Sequence, residues 1–379
     1  MASTRKIRYA VAGAGNIAQA AVLPAFEHAQ ENSELVAIVS SDPEKREKLA
    51  AQYRVHHVGS YDQLESILAQ AKIDALYIAL PNTMHREFTE RAARSKVHVL
   101  CEKPMAMTEE DCEAMIRACK KAEVKLMIAY RLHFEEATLR AIELVKNGTL
   151  GPVRLFDSSF AQQVRPGDIR TRPDVGGGAL FDMGIYCVNA ARAIFRDEPE
   201  EVFAYQVSHG DGRFRGVDAT TVAVLRFPGD RIATFGASQG AAGIDTYRIV
   251  GTEGDLRVEP AYTYHDDLTH TLTVGSETRT TIFTKRDQFA PELVAFSRCI
   301  LEGTEPEPSG EEGLADVRVL RAIVRAAREG RPMKLGPFER AQRPDLRNEI
   351  AKPPVQEPKT VNAPSPSLPN DGSVNVSRR

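Results

Sequence analysis

The chain has 379 residues, 42% of them apolar, with 49 Lys and Arg against 52 Asp and Glu and a formal net charge of −3. That length predicts two domains with sizeable cores. The near-neutral balance offers no basic field, which argues against nucleic acid and anionic membranes as partners. Five cysteines occur, Cys101, Cys112, Cys119, Cys187 and Cys299, with no C-x-x-C pair among them. Reduced buried thiols are expected rather than disulfides or zinc ligands. That usage, and an N-terminus that enters a strand with no separate apolar leader, predict a cytoplasmic protein.

Residues 6–129 alternate strand and helix. KIRYAVAG (6–13), LVAIVS (35–40), VHHV (55–58), DALYIAL (74–80), VHVLCE (97–102) and KLMIAY (125–130) read as strands, and helical patterns separate them. The helix TEEDCEAMIRACKKA (108–122) opens on a threonine cap and early acids. This alternation predicts a doubly wound parallel sheet. After a helix at 135–151 the pattern turns to period-two strands: VRLFDSSFAQ, EVFAYQVSHG, ATTVAVLRF, RIATFGAS, TYRIVGT, LRVE and TLTVG. The helix ALFDMGIYCVNAARAIF interrupts them, and two helices near 288–303 and 311–330 close this part. The expected class is α/β overall: an N-terminal Rossmann sheet over 1–130, then an α+β domain with a large, mostly antiparallel sheet over 131–338. Residues 339–379 are proline-rich and polar, and predict a flexible tail or an extended arm.

The first strand ends in Gly13-Ala14-Gly15-Asn16-Ile17-Ala18, a G-x-G-x-x-A turn that opens a helix. Gly13 permits the turn, Gly15 lets a pyrophosphate approach, and backbone amides with the helix dipole favour phosphates. At the end of the second strand an acid would accept from a ribose 2′-hydroxyl. Here Ser40 and Ser41 stand there, with Lys45 and Arg46 a turn later, while Asp42 suits a helix cap. That pattern fits NADP, since a carboxylate at Ser40 would repel a 2′-phosphate.

The fourth strand ends in Leu80-Pro81-Asn82-Thr83-Met84-His85 and the fifth in Glu102-Lys103-Pro104. Both lie at the carboxyl edge where ligands bind in such sheets, so Leu80, Pro81, Asn82, His85, Glu102 and Lys103 are candidate cofactor contacts. Proline restricts the residue before it, so the direction of Lys103 is set. A fixed cation there favours loss of a proton from a reacting hydroxyl. In the second domain Gly176-Gly177-Gly178 precedes Asp182 and Tyr186, which share one helix face at i, i+4. A carboxylate and a phenol presented together suit binding of sugar hydroxyls and movement of a proton. Tyr130 and Arg131, after the sixth strand, are further candidates; Arg131 contacts cofactor or substrate, or pairs with an acid of the core. Arg170 and Arg172 precede the triple glycine, as cleft residues or as part of a polar loop.

G-x-G-N-I, L-P-N-x-x-H, E-K-P, Y-R and G-G-G-x-L-x-D-x-G-x-Y together resemble the glucose–fructose oxidoreductase / inositol dehydrogenase / rhizopine-catabolism family, over roughly residues 5–338. The resemblance implies that Lys103 lies by the nicotinamide and the substrate hydroxyl, and that Asp182 binds substrate. Tyrosine at 186, in place of the histidine many members carry, is similar to the glucose–fructose oxidoreductase branch, where tyrosine is the proposed base. It implies hydride transfer at a pyranose carbon, foremost C1, with NADP held tightly and recycled by a second sugar. Pairing through the second-domain sheet, as a homodimer or homotetramer, is also implied. The alternatives are oxidation at another carbon of a sugar, cyclitol or glycoside, and a non-catalytic NADP-binding sensor. No metal is expected.

Overall fold

In the computed structural model, which describes residues 5–340, 342–356 and 358–368, the first apolar run is strand β1 (Ile7–Ala12). β2 (Ser33–Val39), β3 (His57–Gly59), β4 (Ala75–Ile78), β5 (His98–Glu102) and β6 (Leu126–Ala129) join it in the order β3-β2-β1-β4-β5-β6, each neighbouring pair parallel. All four residues of β4 and of β6 are buried, as strands covered on both faces must be. The covering helices are α1 (Leu23–Ala25, entered through a wide turn at Ala18–Val22), α2 (Pro43–Tyr53), α3 (Leu64–Gln70), α4 (His85–Arg94) and α5 (Glu109–Ala122). Their caps are local. Asp42 accepts from the amides of Glu44 and Lys45, and Thr108 accepts from that of Asp111. From β1 the chain passes to β2 on one side and later to β4 on the other, so the switch point of this sheet lies between β1 and β4.

Helix α6 (Glu136–Lys146) leads to a nine-stranded sheet. Its strands are β7 (Val153–Gln163), β8 (Glu201–Val207), β9 (Thr220–Phe227), β10 (Arg231–Ser238), β11 (Gly240–Gly251), β12 (Gly254–Val258), β13 (Leu268–Val274), β14 (Glu277–Phe283) and β15 (Met333–Lys334). The order is β14-β13-β12-β11-β7-β10-β9-β8-β15. Pairing is antiparallel except that β10 runs parallel to β7. Strict alternation along β9 puts Thr221, Ala223, Leu225 and Phe227 inside and leaves Val222 and Val224 exposed, so one face of this sheet is covered. Helix α7 (Ile185–Phe195) packs on the covered face against β7 and β10. β14, ETRTTIF, was not anticipated from sequence, because a polar edge strand lacks the alternation that marks the others.

Helices α8 (Ala290–Glu302) and α9 (Gly310–Glu329) follow β14. The two compact units are not contiguous in sequence. The first takes residues up to 143, 283–318 and 339–364, and the second takes 144–282, 319–338 and the chain from 365. The division thus differs from one at 130 and 338, because α8 returns to the first sheet. There Ser297 Oγ lies 2.9 Å from Tyr9 Oη and 2.8 Å from Ser33 Oγ. The proline-rich tail is an extended arm over its described part. It contacts the first unit through residues 340–363, and in the second unit Leu368 N donates to Gln163 O at 2.8 Å. Residues 369–379, also expected in that tail, lie outside the described residues. Among the described residues no helix is long and apolar enough to cross a membrane, and no cluster of three or more His, Cys, Asp or Glu is placed to hold a metal ion.

Candidate active site

Gly13 sits where three strand ends meet. Its amide donates to Val39 O at 2.9 Å, its φ is +101°, and a Cβ there would lie 2.2 Å from Ala79 O. Glycine alone fits that position. Gly15 is the opposite case: it is exposed, and a Cβ there would meet nothing within 4 Å. That open approach beside the start of a helical run fits a dinucleotide pyrophosphate. Asn16 and Ile17 follow, both half-buried.

At the end of β2, Ser40 is buried. Its Oγ accepts from Asp42 N at 3.3 Å and its carbonyl accepts from Arg46 Nη1 at 2.5 Å. Ser41 is exposed and Lys45 half-buried. Asp42 is occupied in capping α2, so this strand end offers hydroxyls and a guanidinium, with no carboxylate at position 40.

The ends of β4 and β5 are joined from beneath by His85. Its ring is fully buried, with Nε2 and Nδ1 each 2.9 Å from a carbonyl, those of Leu80 and Pro104. Burial lowers its pKa, against the pull of those carbonyls. His85, expected among the cofactor contacts, is a fully enclosed ring that clips the two turns together. Pro81 and Asn82 remain half-exposed at the turn. Glu102 is buried and accepts from Tyr77 Oη at 2.9 Å; burial pushes its pKa up, against the attraction of Lys103 and Arg131. Lys103 itself is half-exposed, between buried Glu102 and buried Pro104.

Arg131 is 5% exposed. Its Nη1 donates to Gln288 Oε1, and its guanidinium lies 6.0 Å from the Phe289 ring. That hydrogen-bond partner is an amide, while the Arg131 charge also acts on the buried Glu102 and Glu292. Tyr130 is likewise buried, its ring stacked on His133 at 5.4 Å. Both therefore line the core beneath the strand end, with little of either side chain exposed. Deeper still lies Glu292, in the first turn of α8. It is fully buried, and neither carboxyl oxygen has a hydrogen-bond partner among the described residues. Burial, then the neighbouring Glu102 charge, pushes its pKa well above the usual carboxylate range.

The second unit builds its own cluster around the triple glycine. A Cβ on Gly177 would lie 2.5 Å from Arg170 O, and one on Gly178, whose φ is +119°, 2.3 Å from Asp218 Oδ1. This close approach lets Asp218 Oδ2 accept from the Leu180 amide at 2.8 Å and from Thr221 Oγ1 at 2.7 Å. The helical run that follows is thereby pinned at its start. From Leu180 to Phe195 the half-exposed positions are Asp182, Tyr186 and Ala190, one stripe at i, i+4, i+8, and the rest are buried.

Asp182 Oδ2 accepts from Arg170 Nε at 2.8 Å and from Gln239 Nε2 at 3.0 Å. Arg170 Nη1 also lies 3.2 Å from Asp168 Oδ1. Burial works against the Arg170 charge, but Asp182 and Asp168 raise its pKa beyond the ordinary arginine value. Arg172, expected to bind substrate, is exposed and pairs with Asp174. Tyr186 stands against two aromatic rings, Phe160 edge-on at 5.6 Å and Tyr262 at 5.8 Å. Tyr262 Oη in turn lies 2.7 Å from Ser158 Oγ. Gln239, Asp218, Phe160 and Tyr262 were not singled out in the sequence. They lie between 22 and 80 positions from Asp182 or Tyr186, beyond any periodicity.

Residues 7–130 match an oxidoreductase family with an NAD-binding Rossmann fold, and residues 138–257 match the GFO/IDH/MocA C-terminal domain. D-xylose 1-dehydrogenase (NADP+) of Haloarcula marismortui is 33% identical over 333 residues, covering 86% of this chain and 92% of that protein. The crystal structure of aldose-aldose oxidoreductase from Caulobacter crescentus, complexed with glycerol, shares 40% identity and a TM-score of 0.83 over 87% of this chain and 100% of its own. The 3-ketoreductase KijD10 from Actinomadura kijaniata, in complex with NADP and TDP-benzene, shares 27% identity and a TM-score of 0.79 over 85% of this chain and 98% of its own. With family models matching strands of both its sheets, the chain belongs to the Gfo/Idh/MocA family of NAD(P)-binding oxidoreductases.

Proposed function

We propose that the protein is an NADP-dependent sugar oxidoreductase that oxidises an aldopyranose at C1 to the lactone and holds its nucleotide for re-oxidation by a second sugar. The observation that carries this reading is the stripe of Asp182 and Tyr186, half-exposed on an otherwise buried helix, with Asp182 already fixed by Arg170 and Gln239. The names of the xylose dehydrogenase and aldose-aldose oxidoreductase relatives support a sugar as substrate.

Gly13, Gly15, Asn16 and Ile17 hold the pyrophosphate, and Ser40, Ser41, Lys45 and Arg46 receive the 2′-phosphate. Pro81, Asn82 and Lys103 border the nicotinamide. When bound, the nicotinamide supplies the hydride acceptor or donor. Tyr186 takes the proton of the sugar hydroxyl at its Oη, and the Lys103 ammonium favours that loss. Asp182 accepts hydrogen bonds from neighbouring hydroxyls and sets the ring's orientation. Phe160 and Tyr262 keep water from the phenol's flank. The exposed face of the second sheet, with Leu155, Tyr205, Val222 and Val224, supports pairing of two copies through that sheet.

The test is the near-ultraviolet absorbance of the purified protein across a panel of aldoses. A reduced-nicotinamide band that rises with one sugar and falls with another supports recycling. A protein that reacts only when NADP is supplied sinks recycling and leaves an exchangeable dehydrogenase. Reaction with 3-keto sugars but no aldose would move the chemistry to C3, the position named for the Actinomadura relative.

A further inference from the structure

The first unit carries a second layer over its nucleotide loop, made by the polar, proline-rich arm. The arm is rooted at Arg340, whose Nη2 lies 3.1 Å from Glu307 Oε2 and 2.7 Å from Glu312 Oε2, all three side chains being nine-tenths buried. It then follows the unit's surface. Ile350 N donates to Phe134 O at 3.4 Å, Lys352 O accepts from Asp287 N at 3.3 Å, and Lys352 Nζ pairs with Glu31.

At its far end the arm meets the G-x-G-x-x-A turn. Val361 N donates to Gln19 Oε1 at 2.6 Å, and Gln19 Nε2 donates back to Val361 O at 2.9 Å and to Ala14 O at 2.8 Å. Asn16 Nδ2 donates to Ala363 O at 3.1 Å. Between these, Asn362 takes a left-handed φ of +47° and its Nδ2 donates to Glu44 Oε2 at 2.8 Å, in the first turn of α2. Three residues of the arm therefore touch both the phosphate-binding turn and the helix that follows Ser40 and Ser41. Gln19 is 1% exposed and Ala363 6%, so the contact has a buried centre, while Asn362 and Glu44 stand at its exposed rim.

A segment of this composition has little apolar surface to offset its ordering entropy. Its order comes from hydrogen bonds between its own backbone and the side chains of Asn16 and Gln19, at and just after the turn that receives the nucleotide. We infer that residues 358–364 form the outer wall of the nucleotide site, and that this wall, gripped by Gln19, Asn16 and Glu44, must lift before the nucleotide leaves. The inference rests on a dinucleotide lying on the Gly13–Ala18 turn and is independent of which sugar reacts. It supplies a physical reason for a nucleotide that stays through successive turnovers.

The test loads the full chain with NADPH and follows its displacement by excess NADP+ through nicotinamide fluorescence in a stopped-flow instrument. Two variants are compared with it: a chain ending at Gln356, and Val361→Pro, which deletes one donor and leaves the arm in place. The expected result is NADPH release at least tenfold faster from the shortened chain and several-fold faster from Val361→Pro, with the melting temperature of the nucleotide-free Val361→Pro protein unchanged. Release rates within twofold of the full chain in Val361→Pro and in any folded truncation would overturn the inference and leave the arm as packing. If the truncation does not fold, Val361→Pro decides alone. A full chain that binds no NADPH would overturn the nucleotide reading itself, a different failure from unchanged release.

Discussion

Arg170 Nε donates to Asp182 Oδ2 across 2.8 Å, and Gln239 Nε2 reaches the same oxygen at 3.0 Å. The carboxylate is therefore oriented by its own unit before any ligand arrives, which lowers the ordering cost of binding. A charge-assisted bond of this kind contributes about 1.5–3 kcal/mol. Arg170→Met is expected to raise KM for the sugar on the order of tenfold, with a smaller loss in kcat. Steady-state kinetics separate the two. A fall in kcat at unchanged KM would show that Arg170 acts on the chemical step instead.

Tyr186→Phe and Lys103→Ala remove the proposed proton acceptor and the cation proposed to favour proton loss. Each is expected to cut kcat by about 10²–10⁴, the usual contribution of general acid–base catalysis. NADPH fluorescence titration should show binding retained in Tyr186→Phe. Near-normal turnover in either variant would move its assigned role elsewhere.

Ser40→Asp places a carboxylate at the end of β2, where a 2′-phosphate is expected. NADP affinity should fall at least tenfold relative to NAD. Competitive binding of the two nucleotides reads the ratio directly, and an unchanged ratio would refute NADP preference at this strand end.

Glu292 gives a stability prediction with a definite sign. Its folded pKa is raised well above the usual value, by burial first and then by Glu102 and Asp287, against Arg131. In the unfolded chain it ionises near its ordinary pKa of about 4.3. The folded state thus holds a proton that the unfolded state has lost, and stability falls as pH rises from about 4.3 toward the folded pKa. Glu292→Gln keeps the shape and removes the titration. Its melting temperature should decline less between pH 5 and pH 8 than that of the parent protein. Parallel pH profiles would show that Glu292 ionises without penalty.

The alternation of buried strands and helices made the first sheet legible, because its strands are apolar throughout and each is bounded by a recognisable cap or turn. The G-x-G-x-x-A turn and the Asp182–Tyr186 spacing were legible for the same reason: they are local. What could not be read was long-range. Arg131 and Arg170 are both arginines in loops near strand ends, yet one is enclosed with Gln288 and the other meets Asp182. Nothing local separates those fates. His85 carries a motif position but turns inward between two carbonyls. Gln19 looks like one polar residue in a helical run, and its partner Val361 lies 342 positions away. β14 escaped because an edge strand exposed to water needs no apolar alternation.

The partners that position Asp182 are Arg170, Gln239 and, through the helix start, Asp218, all from the second unit. Those that fix the turns around Lys103 are His85 and Pro104, all from the first. Each of these named partners belongs to the same unit as the residue it positions. If Asp182 orients the sugar as proposed, the segment at 164–175 that carries Arg170 can change to fit a new sugar while nucleotide handling stays intact. Laboratory recombination has the same seam to work along: grafting that segment from a relative should transfer its sugar preference without its nucleotide preference.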